Sequence, residues 1–172
     1  GKEMRRPFLM APVKYSRISS GFSGRRFHPV QKRWKAHLGT DYAAPKGTPI
    51  VSTANGTVIA ASYNSGNGNY VKVKHNETYS TQYLHMSGFA AGIRKGVYVE
   101  QGQTIGYVGS TGLATGPHVC YRFWKNGKRI NHRAEKFPSS IPMVDSLLPS
   151  YLEHIKPIRE RIDALPITPY VA

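Results

Sequence analysis

GTVIAASYNSGNGNYVKVKH, residues 56–75, decides the fold class of this chain. Two strand-like runs, 56–63 and 69–75, flank NSGNG at 64–68, whose Gly and Asn residues accept the positive φ of a tight turn. In the second run Val71 and Val73 alternate with Lys72 and Lys74, the period of two that puts one face on a core and the other in water. The stretch reads as a β-hairpin.

Working outward, TYSTQYLH (78–85), TIGYVG (104–109) and HVCYRFW (118–124) have the same texture, with glycine between the runs. Several closely spaced strands joined by turns predict a mostly β fold, a compact antiparallel sheet or sandwich, and not a parallel sheet with crossover helices. Residues 1–16 carry charge and two prolines without a period and read as a lead-in arm, and 17–135 as the domain proper. From 136 to 172 the composition shifts to a proline-punctuated extension. Within it, YLEHIKPIRERIDAL (151–165) places Leu152, Ile155, Ile158, Ile162 and Leu165 on one helical face, with Pro157 expected to kink the helix or delay its start. That extension is expected to pack back on the domain or on a partner.

The 172 residues suit one domain with a sizeable core. No apolar run is long enough for a transmembrane segment, and no signal-peptide pattern opens the chain at Gly1. Twenty-four Lys and Arg against nine Asp and Glu give a net charge of +15. A field that positive favours an anionic partner. The basic residues are densest from Arg25 to Lys35 and from Arg122 to Lys136, but no nucleic-acid-binding motif accompanies them. They read either as a solvated face or as a grip on an acidic polymer. The single cysteine, Cys120, excludes an intrachain disulfide.

Seven histidines in a β-rich chain direct attention to metal ligands. HLGTD offers His37 and Asp41, close enough to converge if the loop turns inward. GPHVCYRF is more specific: His118 and Cys120 are two apart on a predicted strand, so they leave the same face while Val119 and Tyr121 leave the other. His85 ends another run, where site residues often lie. His28, His75, His132 and His154 lack such partners and read as surface or structural. Cys120 has a plainer reading as well, a small buried hydrophobe.

RISSGFSGRRFHPV (17–30), KAHLGTDYAAPKGTPIVSTANGTV (35–58), GNGNYVKVKHN (66–76), YLHMS (83–87) and GQTIGYVGSTGLATGPHVCYRFWKNGK (102–128) follow one another in the order of the lysostaphin/LytM-type zinc metallopeptidases, which this chain resembles. Five motifs in register over about two thirds of the chain make the resemblance specific. It implies a LytM-like antiparallel fold with an open groove, bound Zn2+, and hydrolysis of peptide bonds in bacterial peptidoglycan stems or cross-links. By that resemblance His37 and Asp41 match the first two zinc ligands, and His85 and His118 match the two catalytic histidines beside the attacking water. Arg26 matches a recurrent arginine to which no role is given. The family's third ligand is a histidine; here it is Cys120.

A thiolate is a competent zinc ligand, and three protein ligands leave the open position that catalysis needs. Replacing a neutral imidazole by a thiolate takes one positive charge from the metal site, so water activation weakens and turnover slows. The resemblance also implies work in the cell envelope, with peptidoglycan as anionic partner. The other reading it allows is a catalytically weakened domain that binds wall or activates other wall hydrolases. A third reading starts from GTPIVSTANGTVIAAS and EQGQTIGYVG, which are similar to half-motifs of biotinyl and lipoyl carriers; no lysine on a hairpin tip supports it.

Overall fold

The structure, a computed structural model, describes residues 7–14, 16–28, 32–137 and 145–164. It falls into two units: Phe8–Phe137, and a second whose described residues include 145–164.

The first unit is built on an antiparallel sheet. Its strands are β1 (Arg17–Ser20), β4 (Thr40–Ala43), β5 (Pro49–Val51), β6 (Gly56–Asn64), β7 (Gly68–Lys74), β8 (Tyr79–Phe89), β9 (Tyr98–Val99), β10 (Thr104–Val108), β11 (His118–Lys125) and β12 (Lys128–Ile130). The order across the sheet is β1-β4-β11-β8-β7-β6-β9, with β10 joining β8 to β5 and β12 flanking β11. A separate two-stranded ribbon, β2 (Ser23–His28) with β3 (Arg33–His37), stands beside it. All five runs expected to be strands are strands, and the fold is mostly β and antiparallel as the sequence predicts.

The hairpin at 56–75 forms as β6–β7, with Asn64 opposite Gly68. Gly68 has φ +64°, and a side chain there would collide with Thr111, so the turn requires glycine on two grounds. Asn64 accepts the backbone N–H groups of Gly66 and Asn67 through its side-chain oxygen, closing the turn locally.

Alternation sorts the side chains. Val71 and Val73 of β7, and Val119, Tyr121 and Phe123 of β11, enter a core with Val58, Ile50, Ile105 and Tyr83. Phe8 and Val13, from the stretch read as a lead-in arm, are buried in the same core, and the Leu9 N–H donates to the Thr53 carbonyl. Tyr83 and Tyr121 are wholly buried, and their hydroxyls meet at Thr53 Oγ1 at 3.0 and 2.9 Å. They are packing residues with satisfied polar tips.

The second unit contains α1 (Leu148–Asp163), which starts ahead of the proline and keeps Pro157 in its interior; none of its residues is buried. Pro157 therefore does not delay the helix. Leu165 lies outside the described residues.

Candidate metal centre

β11 is the spine of the site. Its inward residues anchor it in the core, and its outward residues, His118, Cys120 and Arg122, line a cleft of about 530 Å³. Cys120 stands opposite Asp41 on β4 and opposite Leu84 on β8. Side chains directly opposite on one face are close neighbours, so register alone sets the thiol beside the carboxylate. Gly39 keeps the space open: a Cβ there would lie 3.0 Å from Cys120 Sγ and 3.1 Å from the Tyr121 carbonyl oxygen. This is why the segment linking His37 to Asp41 has glycine at that position.

His37 reaches the same point from the end of β3. Its Nδ1 lies 2.9 Å from the Gly21 carbonyl oxygen, which can only accept, so Nδ1 carries the proton and Nε2 presents a lone pair. That Nε2 is 3.0 Å from Asp41 Oδ1 and 3.6 Å from Cys120 Sγ. One ligand atom from each of His37, Asp41 and Cys120 lies within 4.8 Å of the others.

Asp41 Oδ1 is buried and has no hydrogen-bond donor. The nearby His37 Nε2 is itself an acceptor, so their contact sets two electron-rich atoms against each other. Oδ2 is 3.6 Å from Arg26 Nη2, whose other terminal nitrogen donates to Ser20 Oγ. Burial acts to raise the Asp41 carboxyl; the His37 ring when protonated, together with smaller contributions from Cys120 and His118, holds the group below its usual value. Burial pushes the Cys120 thiol well up, and the Asp41 carboxylate pushes it further. An imidazole lone pair, an orphaned carboxylate oxygen and a thiol facing one point constitute a donor set that a soft divalent cation satisfies. Coordination would also deprotonate the thiol.

His85 and His118 sit beside this point with their ring centroids 4.8 Å apart. Both have Nδ1 held by a backbone carbonyl, Thr111 for His85 and Gly116 for His118, each at 2.8 Å. Each therefore keeps an Nε2 lone pair. The His118 Nε2 is 3.9 Å from Asp41 Oδ1.

His85 is not at a strand end as its run suggests, because β8 continues to Phe89. Regular alternation would send His85 into the core with Tyr83. Instead its φ is +64°, the β7–β8 and β10–β8 registers shift nearby, and Met86 takes the core position. A left-handed non-glycine residue is strained by about 1 kcal/mol or more. The Asn67 carbonyl, accepting the His85 N–H at 2.9 Å, helps to hold it. The bulge turns the ring to the cleft. Burial, then repulsion from His118, lowers the His85 imidazole to about 4.

The remaining histidines separate as expected where they are described. His75 bonds Asn55 and Thr81, and His132 is buried against Tyr42. His154 is exposed on α1, and the His28 side chain lies outside the described residues. Sequence reasoning did not place Arg122, Arg129 and Asn67 in the cleft. For Arg122 the signal was present, since it is two residues past Cys120 on the same strand.

Residues 35–132 match the family model described as Peptidase family M23. The peptidoglycan DD-endopeptidase ShyC of Vibrio cholerae serotype O1 is 42% identical over 163 residues, covering 95% of this chain and 37% of that protein. A zinc-containing peptidase from Vibrio cholerae, known from its crystal structure, superposes with a TM-score of 0.71 at 38% identity, over 77% of this chain and 41% of the other. The catalytic domain of lysostaphin from Staphylococcus simulans superposes with a TM-score of 0.57 at 25% identity, over 80% and 92% of the two chains. The chain spans about a third of the length of the curated relatives it matches, 37% and 33% for two of them. With its antiparallel sheet, its cleft and its motif order, this chain belongs to peptidase family M23.

Proposed function

We propose that this chain is the zinc metalloendopeptidase domain of an envelope protein and hydrolyses peptide bonds in bacterial peptidoglycan. The observation that carries this reading is the buried Asp41 Oδ1, without a donor, facing His37 Nε2 and within 4.8 Å of a ligand atom on each of His37 and Cys120. The relative named as a peptidoglycan DD-endopeptidase supports the substrate class. His37, Asp41 and Cys120 would hold the metal. When bound, zinc supplies the Lewis acidity that polarises a scissile carbonyl and makes water nucleophilic at neutral pH.

The two histidines divide the proton handling. His85, neutral down to about pH 4 and donating Nδ1–H to Thr111, accepts a water O–H at Nε2 and so orients the water. His118, whose Nε2 is 3.9 Å from Asp41 Oδ1, takes the proton at that nitrogen and returns it to the leaving amine. Gly21, Thr111 and Gly116 fix the three tautomers through their carbonyls.

Cys120 in the third-ligand position leaves the metal less positive and so favours the rival reading, a weakened domain that binds wall without cutting it. Incubating the zinc-loaded protein with purified peptidoglycan separates the two. New amino termini in the released fragments are expected; binding without new termini would establish the rival.

A further inference from the structure

The outward face of β11 does not stop at the metal centre. Two residues past Cys120, a rise of about 7 Å along the strand, Arg122 lies in the same cleft, and Arg129 from β12 joins it. Arg129 stands opposite Trp124 in the β11–β12 register, and its guanidinium lies 5.4 Å from the Trp124 ring centroid. The other cation on that ring is Lys72, with Nζ at 4.5 Å. Register places it there, because Arg122 and Lys72 are both opposite Gln82 of the strand between them. Three cations thus crowd one patch of open sheet.

They are not neutralised from within. Among the described residues, no carboxylate lies within ion-pair distance of Arg122 or Arg129. Arg122 donates to the neutral Asn67 side chain, at 3.2 Å, and also faces the Cys120 thiol. Burial, then the charge of Arg122, pushes the Arg129 guanidinium below its ordinary value. Like charges held together in a cleft need an anion, and two planar guanidinium forks fit a carboxylate.

We propose that Arg122 and Arg129 form a carboxylate subsite, so that the preferred substrate is a peptide bearing a free carboxylate one or two residues from the scissile bond. The proposal rests on the peptidase reading for its register with the cut, but the subsite itself is a binding site that can be measured without cleavage. The carboxylate is either an acidic side chain or a peptide C-terminus, and the two are separable by amidating one at a time.

The test uses the whole chain, zinc-loaded, and one stem-type peptide in three forms: free acid, side-chain amide and C-terminal amide. Binding is followed by calorimetry and cleavage by chromatography. The free acid is expected to bind and be cut about tenfold better or more than one of the amides, as a charge-assisted hydrogen bond implies. Arg129→Gln should bring the acid down to the amide, and Arg129→Lys should retain part of the preference. Lys95→Gln, which removes an exposed charge outside the cleft, should retain all of it.

Equal binding and cleavage of all three forms would overturn the subsite, and so would failure of every form to bind. An acid preference that survives Arg129→Gln, with zinc content falling instead, would assign the arginines to the Cys120 thiolate and also overturn it. Acid-selective binding without any cleavage would leave the subsite standing and remove the peptidase reading.

Discussion

His37 Nε2 lies 3.0 Å from Asp41 Oδ1, yet no hydrogen joins them, because the imidazole proton is on Nδ1 and held by the Gly21 carbonyl. A buried arrangement of two acceptors is costly unless a cation lies between or beside them. The first prediction tests that cost. Zinc should raise the Tm of the chelated protein by several degrees through binding to the folded state alone. Asp41→Asn removes the orphaned charge, so the chelated variant should melt above chelated wild type and show no zinc shift. Thermal melts of both proteins with and without zinc decide it; a full zinc shift in Asp41→Asn would remove the carboxylate from the ligand set.

Cys120 is the second. As a ligand it predicts that Cys120→Ala loses most of the zinc. Cys120→His should keep zinc and be at least comparably active, since an imidazole leaves the metal more positive than a thiolate does. The space beside Gly39 is where the larger ring must fit. Metal content of the three proteins, measured side by side, gives the answer. Equal zinc in wild type and Cys120→Ala would return the thiol to the role of a small buried hydrophobe.

Separation of metal binding from proton transfer is the third. His118→Ala leaves the three proposed ligands in place and should hold zinc at wild-type stoichiometry. Turnover should fall by about two to four orders of magnitude, the usual contribution of a positioned acid–base group. Zinc loss in proportion to activity loss would make His118 a ligand instead.

The fourth concerns acid. Burial lowers His75 and His132 from an ordinary 6.5 to about 4. As pH falls below 6.5, the unfolded chain takes up these protons before the folded one does, so stability is full above that pH and is lost toward pH 4. Each histidine contributes at most about 3 kcal/mol to that loss. Urea unfolding of chelated protein at pH 7.5, 5.5 and 4.5 should show the decline, and a less steep one in His132→Gln. Identical slopes would mean that His132 is not held neutral by burial.

Periodicity carried most of the fold. The alternation of Val71 and Val73 with Lys72 and Lys74, and of His118 and Cys120 with Val119 and Tyr121, is a local property of the chain. Each strand shows that pattern before it meets a partner, and the NSGNG turn is equally local. Two pairs of site residues could be read locally: His118 with Cys120 on this ground, and His37 with Asp41 from their nearness in the chain. The same reasoning failed at His85, where the period of two points into the core, because a left-handed residue and a register shift turn the ring around. No sequence period encodes a bulge.

What the sequence alone determined is five of the strands, the hairpin at 56–75 and the side of β11 on which its reactive residues lie. Tertiary structure decided which segments meet. The β4–β11 register sets Asp41 against Cys120, the Gly21 carbonyl selects the His37 tautomer, and the cleft gathers Arg122 and Arg129. It also brought Phe8 and Val13 into the core from a stretch with no period of its own. The physical reason is the same in each case. Strand propensity and alternation act between neighbours in the chain, whereas backbone carbonyls, register and charge crowding act between residues that only folding brings together.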